Sequence, residues 1–424
     1  RKGQIYRSYG DYTVLQGIPD QAFIDDVIIQ PEYGFSQTLD LNQDDEVVIV
    51  FDWAEESAVN MFGYAESAAD ALSAQLIKLA TIYPWLLNNI QFIGHSRGTV
   101  VNSEAIERLL YFGSKNLLPA GILLDKDIHM TTLDPHPAGH WRGLWGLLVP
   151  MNDDAVNSKI NGQKIGVAGW KAGDYKTSFI DNYYETNFNL LSNPFIGLDD
   201  FPGLNDTGIF SNSNLSDTLI DEYQPHGLIH TYYFGTVDID AYNESFNEGS
   251  YINSAWYSNR DQQGFHFSET RLADLSDIVS IDSKLFDISS DKYFTKYKLI
   301  FNGDFSKANI FGNIPGWSYQ GGNIDCDLGG FDTHGNPVDP YLILGDPGIL
   351  ASESHSITHN PVYISTQAKF IWFWMNIVTT SDTDILHVWV GDSEFTFSLS
   401  EPYNNWQSVT IPVTKKGTVQ TIKF

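Results

Sequence analysis

The chain has 424 residues, more than one hydrophobic core usually fills, so we expect two domains. Its 24 Lys and Arg residues stand against 53 Asp and Glu residues, which gives a formal net charge of −29. A surface of this sign repels phosphate backbones and excludes nucleic acid as a partner. No stretch approaches the roughly 20 apolar residues of a transmembrane span. The single cysteine, Cys326, excludes an intramolecular disulfide and a four-cysteine zinc site.

The chain opens with Arg1-Lys2-Gly3 in place of an initiator methionine and an apolar signal core, which predicts a processed or trimmed product. Residues 45–53 (DEVVIVFDW) form a continuous β-branched run, which is typical of a parallel strand buried on both faces. Residues 65–80 have the spacing of an amphipathic helix. A second strand over 90–94 precedes another helical pattern that Gly113 is placed to cap.

Two more strands are predicted at 129–134 and 176–184. Strands that alternate with helices indicate a doubly wound α/β fold, a mostly parallel sheet with helices on both faces. Residues 190–225 are rich in Asn, Ser, Asp, Gly and Pro, which predicts a long irregular segment. We assign residues 1–240 to a catalytic α/β domain and 241–295 to a trailing subdomain or linker. Residues 296–424 contain short β segments between turn signals, which favours an all-β jelly roll or β-sandwich.

The segment Gly94-His95-Ser96-Arg97-Gly98 fits the pattern G-x-S-x-G, with an apolar strand before it and a helical pattern after it. In this context the central serine lies on a strained turn that exposes its hydroxyl at the carboxyl edge of the sheet. Ser96 is therefore the candidate nucleophile. The backbone N–H of Arg97, at the start of the helix, is a candidate oxyanion donor.

A serine hydroxyl needs a base to take its proton, and that base needs an acid that orients it. In this fold the order along the chain is serine, acid, histidine. Asp134 ends a predicted strand and precedes a proline, so it is the candidate acid, with Asp181 in reserve. His226 follows a proline that would present it from a loop, and it is the preferred base. His230 is the alternative base or a buried residue behind the site.

These motifs resemble the pancreatic-lipase-type branch of the α/β-hydrolases over about residues 10 to 235. The similarity rests on strand-Asp-Trp at residues 47–53, G-H-S-x-G at 94–98, L-D-P at 133–135 and the histidine-tyrosine segment at 226–233. The resemblance implies Ser96 as nucleophile, Asp134 as acid and His226 as base. It also implies a secreted, extracellular protein, and the segment SFIDNYY is similar to secreted bacterial members.

The sequence departs from this family at the second oxyanion donor, where a His-Gly pair normally precedes the Asp-Trp pair. Here Gln16-Gly17-Ile18 occupies similar spacing without a histidine. Either the N–H of Ile18 or a neighbouring group donates, or the element preceded Arg1. A missing donor costs about 10²–10³ in rate.

Three other segments allow more than one interpretation. Residues 139–151 are rich in Trp and Leu and form either an acyl pocket wall or lid, or ordinary core. Residues 40–46 (DLNQDDE) have the alternate oxygen ligands of a calcium loop but lack its glycine and distal glutamate, so the segment either binds calcium or is an ordinary acidic loop. The predicted chemistry requires no cofactor. His136 and His140 are four residues apart, but the neighbouring prolines disfavour the helix that a metal site there needs.

The C-terminal region loosely resembles carbohydrate-binding modules, through NGDFS and IPGW at its start. Trp317 and Tyr319 either stack on a polysaccharide or pack in the core. The sequence thus predicts a secreted serine hydrolase that cleaves carboxylic esters of lipids or small molecules. One alternative is a carbohydrate esterase that removes acetyl or feruloyl groups while the β domain holds the polymer. The other is a catalytically weak extracellular binding protein on a hydrolase scaffold.

Overall fold

The computed structural model describes residues 4–9, 30–31, 47–53, 64–135, 159–160, 163–164, 170–185, 210–219, 225–237, 286–287, 316–320, 324–327, 330–331, 337–338, 341–344, 356–375, 385–398 and 407–424. The expected domain boundaries near residues 240 and 295 lie outside these ranges. Helices in the described ranges are α1 (Tyr64–Ile82), α2 (Gly98–Ser114) and α3 (Pro225–Val237). No helix among them is both long and apolar enough to cross a membrane.

The N-terminal part of the chain contains two sheets whose strands are mainly parallel. Its strands are β1 (Gln4–Tyr9), β2 (Gln30–Pro31), β3 (Val47–Asp52), β4 (Gln91–His95), β5 (Asp127–Leu133), β6 (Lys159–Ile160), β7 (Gln163–Lys164), β8 (Trp170–Ala172), β9 (Tyr175–Tyr184), β10 (Phe210–Asn214) and β11 (Phe286–Asp287). One sheet has the order β2-β1-β3 and is parallel throughout. The other has the order β11-β8-β9-β5-β4 with β10 beside β9, and β6 pairs with β7.

Within the larger sheet, β4, β5, β9 and β10 are parallel, whereas β8 and β9 form an antiparallel hairpin. Parallel neighbours bring their carboxyl ends to one edge of the sheet. The end of β4 meets the end of β5 there, because His95 pairs with Leu133. The turn after β4 and the turn after β5 are therefore adjacent.

The larger sheet carries helices on both of its faces. Ile128 and Met130 of β5 are fully buried in the core that contains α1 and α2. Leu133 points to the opposite face, because side chains alternate along a strand, and it packs with Ile229 and Tyr232 of α3. Helix α2 and helix α3 therefore lie on opposite faces of the larger sheet.

The C-terminal part of the chain forms antiparallel β layers. Its strands are β12 (Trp317–Gln320), β13 (Ile324–Asp327), β14 (Gly330–Phe331), β15 (Pro337–Val338), β16 (Tyr341–Leu344), β17 (Ser356–Ile364), β18 (Phe370–Met375), β19 (Ile385–Val390), β20 (Ser393–Ser398), β21 (Gln407–Pro412) and β22 (Thr418–Lys423). A five-stranded sheet has the order β12-β17-β22-β19-β20, and β18 pairs with β21. Val388 and Val390 of β19 pack against Ile411 of β21, so apolar side chains fill the space between these two layers.

Helix α1 is buried around most of its circumference. Its apolar residues contact α2 in the main core, as the helical spacing predicts. Its polar residues are also buried, contrary to the expected amphipathic helix; they include Glu66, Ser67, Asp70, Ser73 and Gln75. The reason is that β17 and β22 of the C-terminal sheet pack against α1.

A buried charge cluster joins α1 to α2. The Arg108 guanidinium donates from Nε to Asp70 Oδ1, and its Nη1 atom lies 2.6 Å from Glu104 Oε2. Burial alone would lower the pKa of Arg108, but the nearby carboxylates of Asp70 and Glu104 raise it. The cation therefore remains charged, and its pairing offsets the cost of removing these groups from water.

Candidate active site

Ser96 lies in the turn between β4 and α2. Its φ angle is 53°, in the left-handed region that residues other than glycine rarely occupy. Arg97 follows as the N-cap of α2 with φ −64° and ψ −20°, so the chain passes from strand to helix within two residues. This geometry turns the Ser96 side chain away from the sheet at its carboxyl edge.

Gly94 makes this sharp turn possible. A Cβ atom added at Gly94 would lie 2.6 Å from the carbonyl oxygen of Gly98 and 2.7 Å from Asn102 Nδ2. A Cβ at Gly98 meets nothing within 4 Å. Of the two glycines in the motif, the first is thus required by close packing of the helix on the strand.

Asp134 follows β5 directly and shares the unusual backbone conformation, with a φ angle of 43°. The other positive-φ residues besides glycine in the described ranges are Asn89 and Asn116, a residue type that tolerates this region. Aspartate also tolerates this region, so the strained residue of the four is Ser96, and such strain concentrates at functional sites. The Asp134 backbone is held by a 2.6 Å hydrogen bond from its N–H to the carbonyl of Tyr183.

The sequence predicted that a loop presents His226, but His226 lies in the first turn of α3. It follows Pro225, which suits the first helical position because its missing N–H needs no partner there. His226 Nε2 is 3.1 Å from Ser96 Oγ. On the other side of the ring, Nδ1 contacts Oδ2 of Asp134. The structure therefore brings Ser96, His226 and Asp134 together in one chain of side-chain contacts.

The partners determine which nitrogen of His226 carries the proton. Because a buried carboxylate accepts from Nδ1–H, Nε2 presents its lone pair and accepts from the Ser96 hydroxyl. Asp134 is fully buried, and its second oxygen accepts a 3.2 Å hydrogen bond from the N–H of Glu185. The His226 side chain is 15% exposed and Ser96 is half-buried, so this chain of contacts runs from the buried Asp134 to the partly exposed Ser96.

Asp181, the reserve acid, has a different partner. Its Oδ2 atom is 2.8 Å from Nε2 of His129, and both residues are buried within the sheet, on β9 and β5. Tyr233 of α3 packs next to this pair. Burial and the Asp181 carboxylate raise the pKa of Tyr233 to about 12, although hydrogen bonds to Thr131 and Gln91 oppose the shift.

His95 lies beside His226, and its ring also lies close to that of His230. The His95 ring lies 4.8 Å from the His226 ring and 5.2 Å from the His230 ring. His230 is exposed, whereas the sequence suggested a deeper position. Partial removal of its ring from water, together with the nearby His226, lowers the pKa of His230.

Sequence reasoning assigned no role to His95. Its Nε2 atom is 2.9 Å from the backbone carbonyl oxygen of His226. The available signal was the alternation of side chains along β4, which puts His95 on the face opposite the buried Phe92. The position of His226 on that face was not deducible, because the two residues are 131 positions apart.

Of the two candidate oxyanion donors, only Arg97 belongs to the described residues. The Arg97 guanidinium is buried, 5.6 Å above the ring of Trp53, which brings the residue after β3 beside the serine turn. The Arg97 backbone lies at the N-terminus of α2, where the helix dipole favours negative charge. Ile18 lies outside the described residues.

Several other predicted features also lie outside the described ranges: residues 40–46, His136, His140, residues 139–151 and the side chain of Tyr319. No cluster of three or more His, Cys, Asp or Glu side chains suited to a metal ion occurs in the described part of the chain. Trp317 is 9% exposed and packs edge-on against His359 at 4.6 Å, which is the arrangement of a core residue rather than of a sugar platform.

No protein-family model matches the chain, and a search of curated proteins found no match either.

Proposed function

We propose that this chain is a serine hydrolase of the α/β-hydrolase type that cleaves carboxylic esters, with Ser96 as nucleophile. The observation that carries the proposal is the contact chain from Ser96 Oγ through His226 to Asp134, which forms from three separate parts of the sequence. The parallel sheet with helices on both faces supports the fold assignment. The left-handed backbone of Ser96 supports its role, because a nucleophile on a strained turn is exposed to substrate.

The proposed reaction has two halves. Ser96 Oγ attacks the carbonyl carbon of the ester while its proton passes to His226 Nε2, and the imidazolium is stabilised by the Asp134 carboxylate. The tetrahedral intermediate collapses, the C–O bond to the alcohol breaks, and His226 returns the proton to the leaving alkoxide. Water then attacks the acyl-enzyme with His226 again as base, which releases the carboxylic acid and restores the Ser96 hydroxyl.

The negative oxygen of each tetrahedral intermediate needs hydrogen-bond donors. The N–H of Arg97 is the first donor in this proposal, since it lies next to the nucleophile at the N-terminus of α2. The N–H of Ile18 remains the candidate for the second. No metal or organic cofactor has a step in this mechanism.

A fluorophosphonate probe tests the proposal directly. The probe forms a covalent bond only with an activated serine, so we expect stoichiometric labelling of the wild type, at Ser96 by peptide mass analysis. Ser96→Ala should abolish labelling and keep the circular dichroism spectrum of the wild type. A folded wild-type protein that takes up no probe would instead support the binding-protein alternative.

The substrate class is tested with p-nitrophenyl esters of increasing acyl length alongside acetylated xylan and a feruloylated oligosaccharide. A lipase or general esterase hydrolyses the nitrophenyl series, with kcat/KM dependent on acyl length. The carbohydrate esterase alternative predicts release of acetate or ferulate from the polysaccharides and weak turnover of long acyl chains.

A further inference from the structure

We propose that His95 is a positioning residue that holds the His226 imidazole against Ser96. The inference deepens the proposed function and rests on it, because it concerns the same proton acceptor. It starts from the 2.9 Å contact between His95 Nε2 and the backbone oxygen of His226.

The direction of this hydrogen bond is fixed by chemistry. A carbonyl oxygen only accepts, so His95 Nε2 carries a hydrogen and donates it. His95 immediately precedes Ser96, and the acceptor belongs to His226 itself. One side chain therefore joins the residue before the nucleophile to the backbone of the base.

This bond closes a ring of contacts around the reacting atoms. Ser96 Oγ and His226 Nε2 form one side, at 3.1 Å, and His95 Nε2 and the His226 carbonyl form the other. Ser96 follows β4 and His226 lies in the first turn of α3. Without this hydrogen bond, the separation of the two reacting groups would depend on packing between a strand and a helix. The hydrogen bond restrains the first turn of α3, and the contact with Asp134 restrains the rotation of the ring.

The ring of His95 provides a second restraint. It packs against the His226 ring at 4.8 Å with 36° between the planes, and the ring of His230, one helical turn further along α3, lies 5.2 Å from it. The rings of His226 and His230 both belong to α3, and Asp134 contacts the His226 ring at Nδ1. His95 thus restrains His226 in two ways, through a hydrogen bond to its backbone carbonyl and through contact between the two rings.

Two variants separate the donor from the ring. His95→Phe keeps a flat ring and removes the donor, whereas His95→Gln keeps an amide N–H near the position of Nε2 and removes the ring. A displacement of reacting groups by about 1 Å costs up to 10²-fold in rate, so we expect kcat of His95→Phe to fall 10- to 100-fold with KM changed less than threefold. His95→Gln should restore kcat to within about fivefold of wild type. His387→Phe, far along the chain in β19, controls for the loss of a histidine.

Proton NMR tests whether the hydrogen bond from His95 restrains His226, independently of any enzymatic activity. The Nδ1 proton of His226, bonded to the Asp134 carboxylate, should give a far-downfield proton NMR signal that is absent in His226→Gln. We expect this signal to broaden through exchange with water in His95→Phe and to persist in His95→Gln. Equal kcat values and equal signals in wild type and His95→Phe would overturn the inference, as would equal losses in the two variants.

The two proposals fail in different ways. If the wild type reacts with no fluorophosphonate, the proposed function is wrong, and the NMR comparison still decides whether His95 restrains His226. If the wild type is labelled and His95→Phe matches it in kcat and in the downfield signal, only the positioning role is wrong.

Discussion

The backbone N–H of Ser96 donates a 2.9 Å hydrogen bond to the carbonyl oxygen of Leu133. This bond continues the ladder between β4 and β5 by one residue, into the turn itself. Asp134 follows Leu133 directly, so the serine turn and the aspartate turn are fixed to each other through the backbone. The sheet therefore sets the distance between the candidate nucleophile and the candidate acid, and only His226 has to be brought to them by α3.

The assignment of the acid is tested by comparing Asp134→Asn with Asp181→Asn. In Asp134→Asn, His226 loses the carboxylate that holds its tautomer, and we expect kcat to fall by about 10⁴-fold with the fold retained. In Asp181→Asn, kcat should stay within tenfold of wild type, because Asp181 pairs with His129 rather than His226. That variant should lose about 1–3 kcal/mol in the free energy of unfolding. The reverse pattern of rates would assign the acid to Asp181.

The two motif glycines should respond differently to alanine. In Gly94→Ala the new methyl group collides with backbone atoms of Gly98, which cannot rotate away, so we expect a loss of about 1–3 kcal/mol and about 10²-fold in kcat. Gly98→Ala has open space at the start of α2 and should gain up to about 1 kcal/mol from helix propensity, with kcat retained. Chemical denaturation and steady-state kinetics measure both effects. Equal behaviour of the two variants would contradict the packing argument for Gly94.

Tyr233 should make stability depend on alkaline pH. The pKa of its phenol is raised from 10.0 to about 12 in the fold, first by burial. The folded state therefore favours the neutral phenol, and its contribution is complete below pH 10 and is lost as the pH rises towards 12. A shift of this size corresponds to about 2–3 kcal/mol.

Urea denaturation of wild type and Tyr233→Phe at several pH values measures this contribution. The free energy of unfolding of the wild type should fall more steeply between pH 10 and 12 than that of Tyr233→Phe. The difference between the two curves isolates Tyr233 from the other tyrosines. Parallel curves would show that Tyr233 does not ionise differently in the folded and unfolded states.

The local parts of the site were predictable from the sequence. The run before Gly94 predicts a strand, the spacing after Gly98 predicts a helix, and a serine between them predicts the sharp turn that the φ angle of Ser96 records. Asp134 and His226 were identified from their order along the chain and their neighbouring prolines. In the structure His226 contacts both Ser96 and Asp134. Local sequence patterns do not give the distances between these side chains.

Long-range packing limited the rest of the prediction. Gly113 was expected to cap α2, but α2 continues to Ser114, and a Cβ at Gly113 would lie 2.7 Å from Leu124 Cδ2. The glycine serves a close contact with a distant side chain rather than a helix end. The polar residues of α1, such as Glu66, predicted that one face of this helix is exposed to solvent. The C-terminal sheet covers that face, and nothing in the local sequence indicates this contact. The buried pair of His129 and Asp181 could not be predicted for the same reason, because the two residues are 52 positions apart in the sequence.

Tyr363 of β17 connects the C-terminal sheet to the helices behind the site. Its hydroxyl donates a 2.6 Å hydrogen bond to the carbonyl of Leu117, and its ring packs edge-on against Phe112 of α2 at 5.2 Å. The residue is 6% exposed, and burial raises the pKa of its phenol. The hydroxyl of Thr366 also lies 3.3 Å from the Leu117 oxygen, so this carbonyl keeps a donor when Tyr363 is changed.

Graded substitution of Tyr363 tests whether the C-terminal sheet stabilises the part of the fold that contains Ser96. Tyr363→Phe removes one hydrogen bond and should cost about 1 kcal/mol, whereas Tyr363→Ala also leaves a cavity beside Phe112 and should cost about 3–5 kcal/mol. Because Tyr363 shares a core with α1 and α2, Tyr363→Ala should lower the temperature at which Ser96 loses fluorophosphonate reactivity by the same amount as the Tm of the whole protein. Thr396→Ala, an exposed change on β20, should move neither temperature. If the Tm of the C-terminal sheet falls and the reactivity of Ser96 keeps its wild-type temperature dependence, the two parts unfold independently, and the packing of β17 on α1 contributes nothing to the stability of the serine turn.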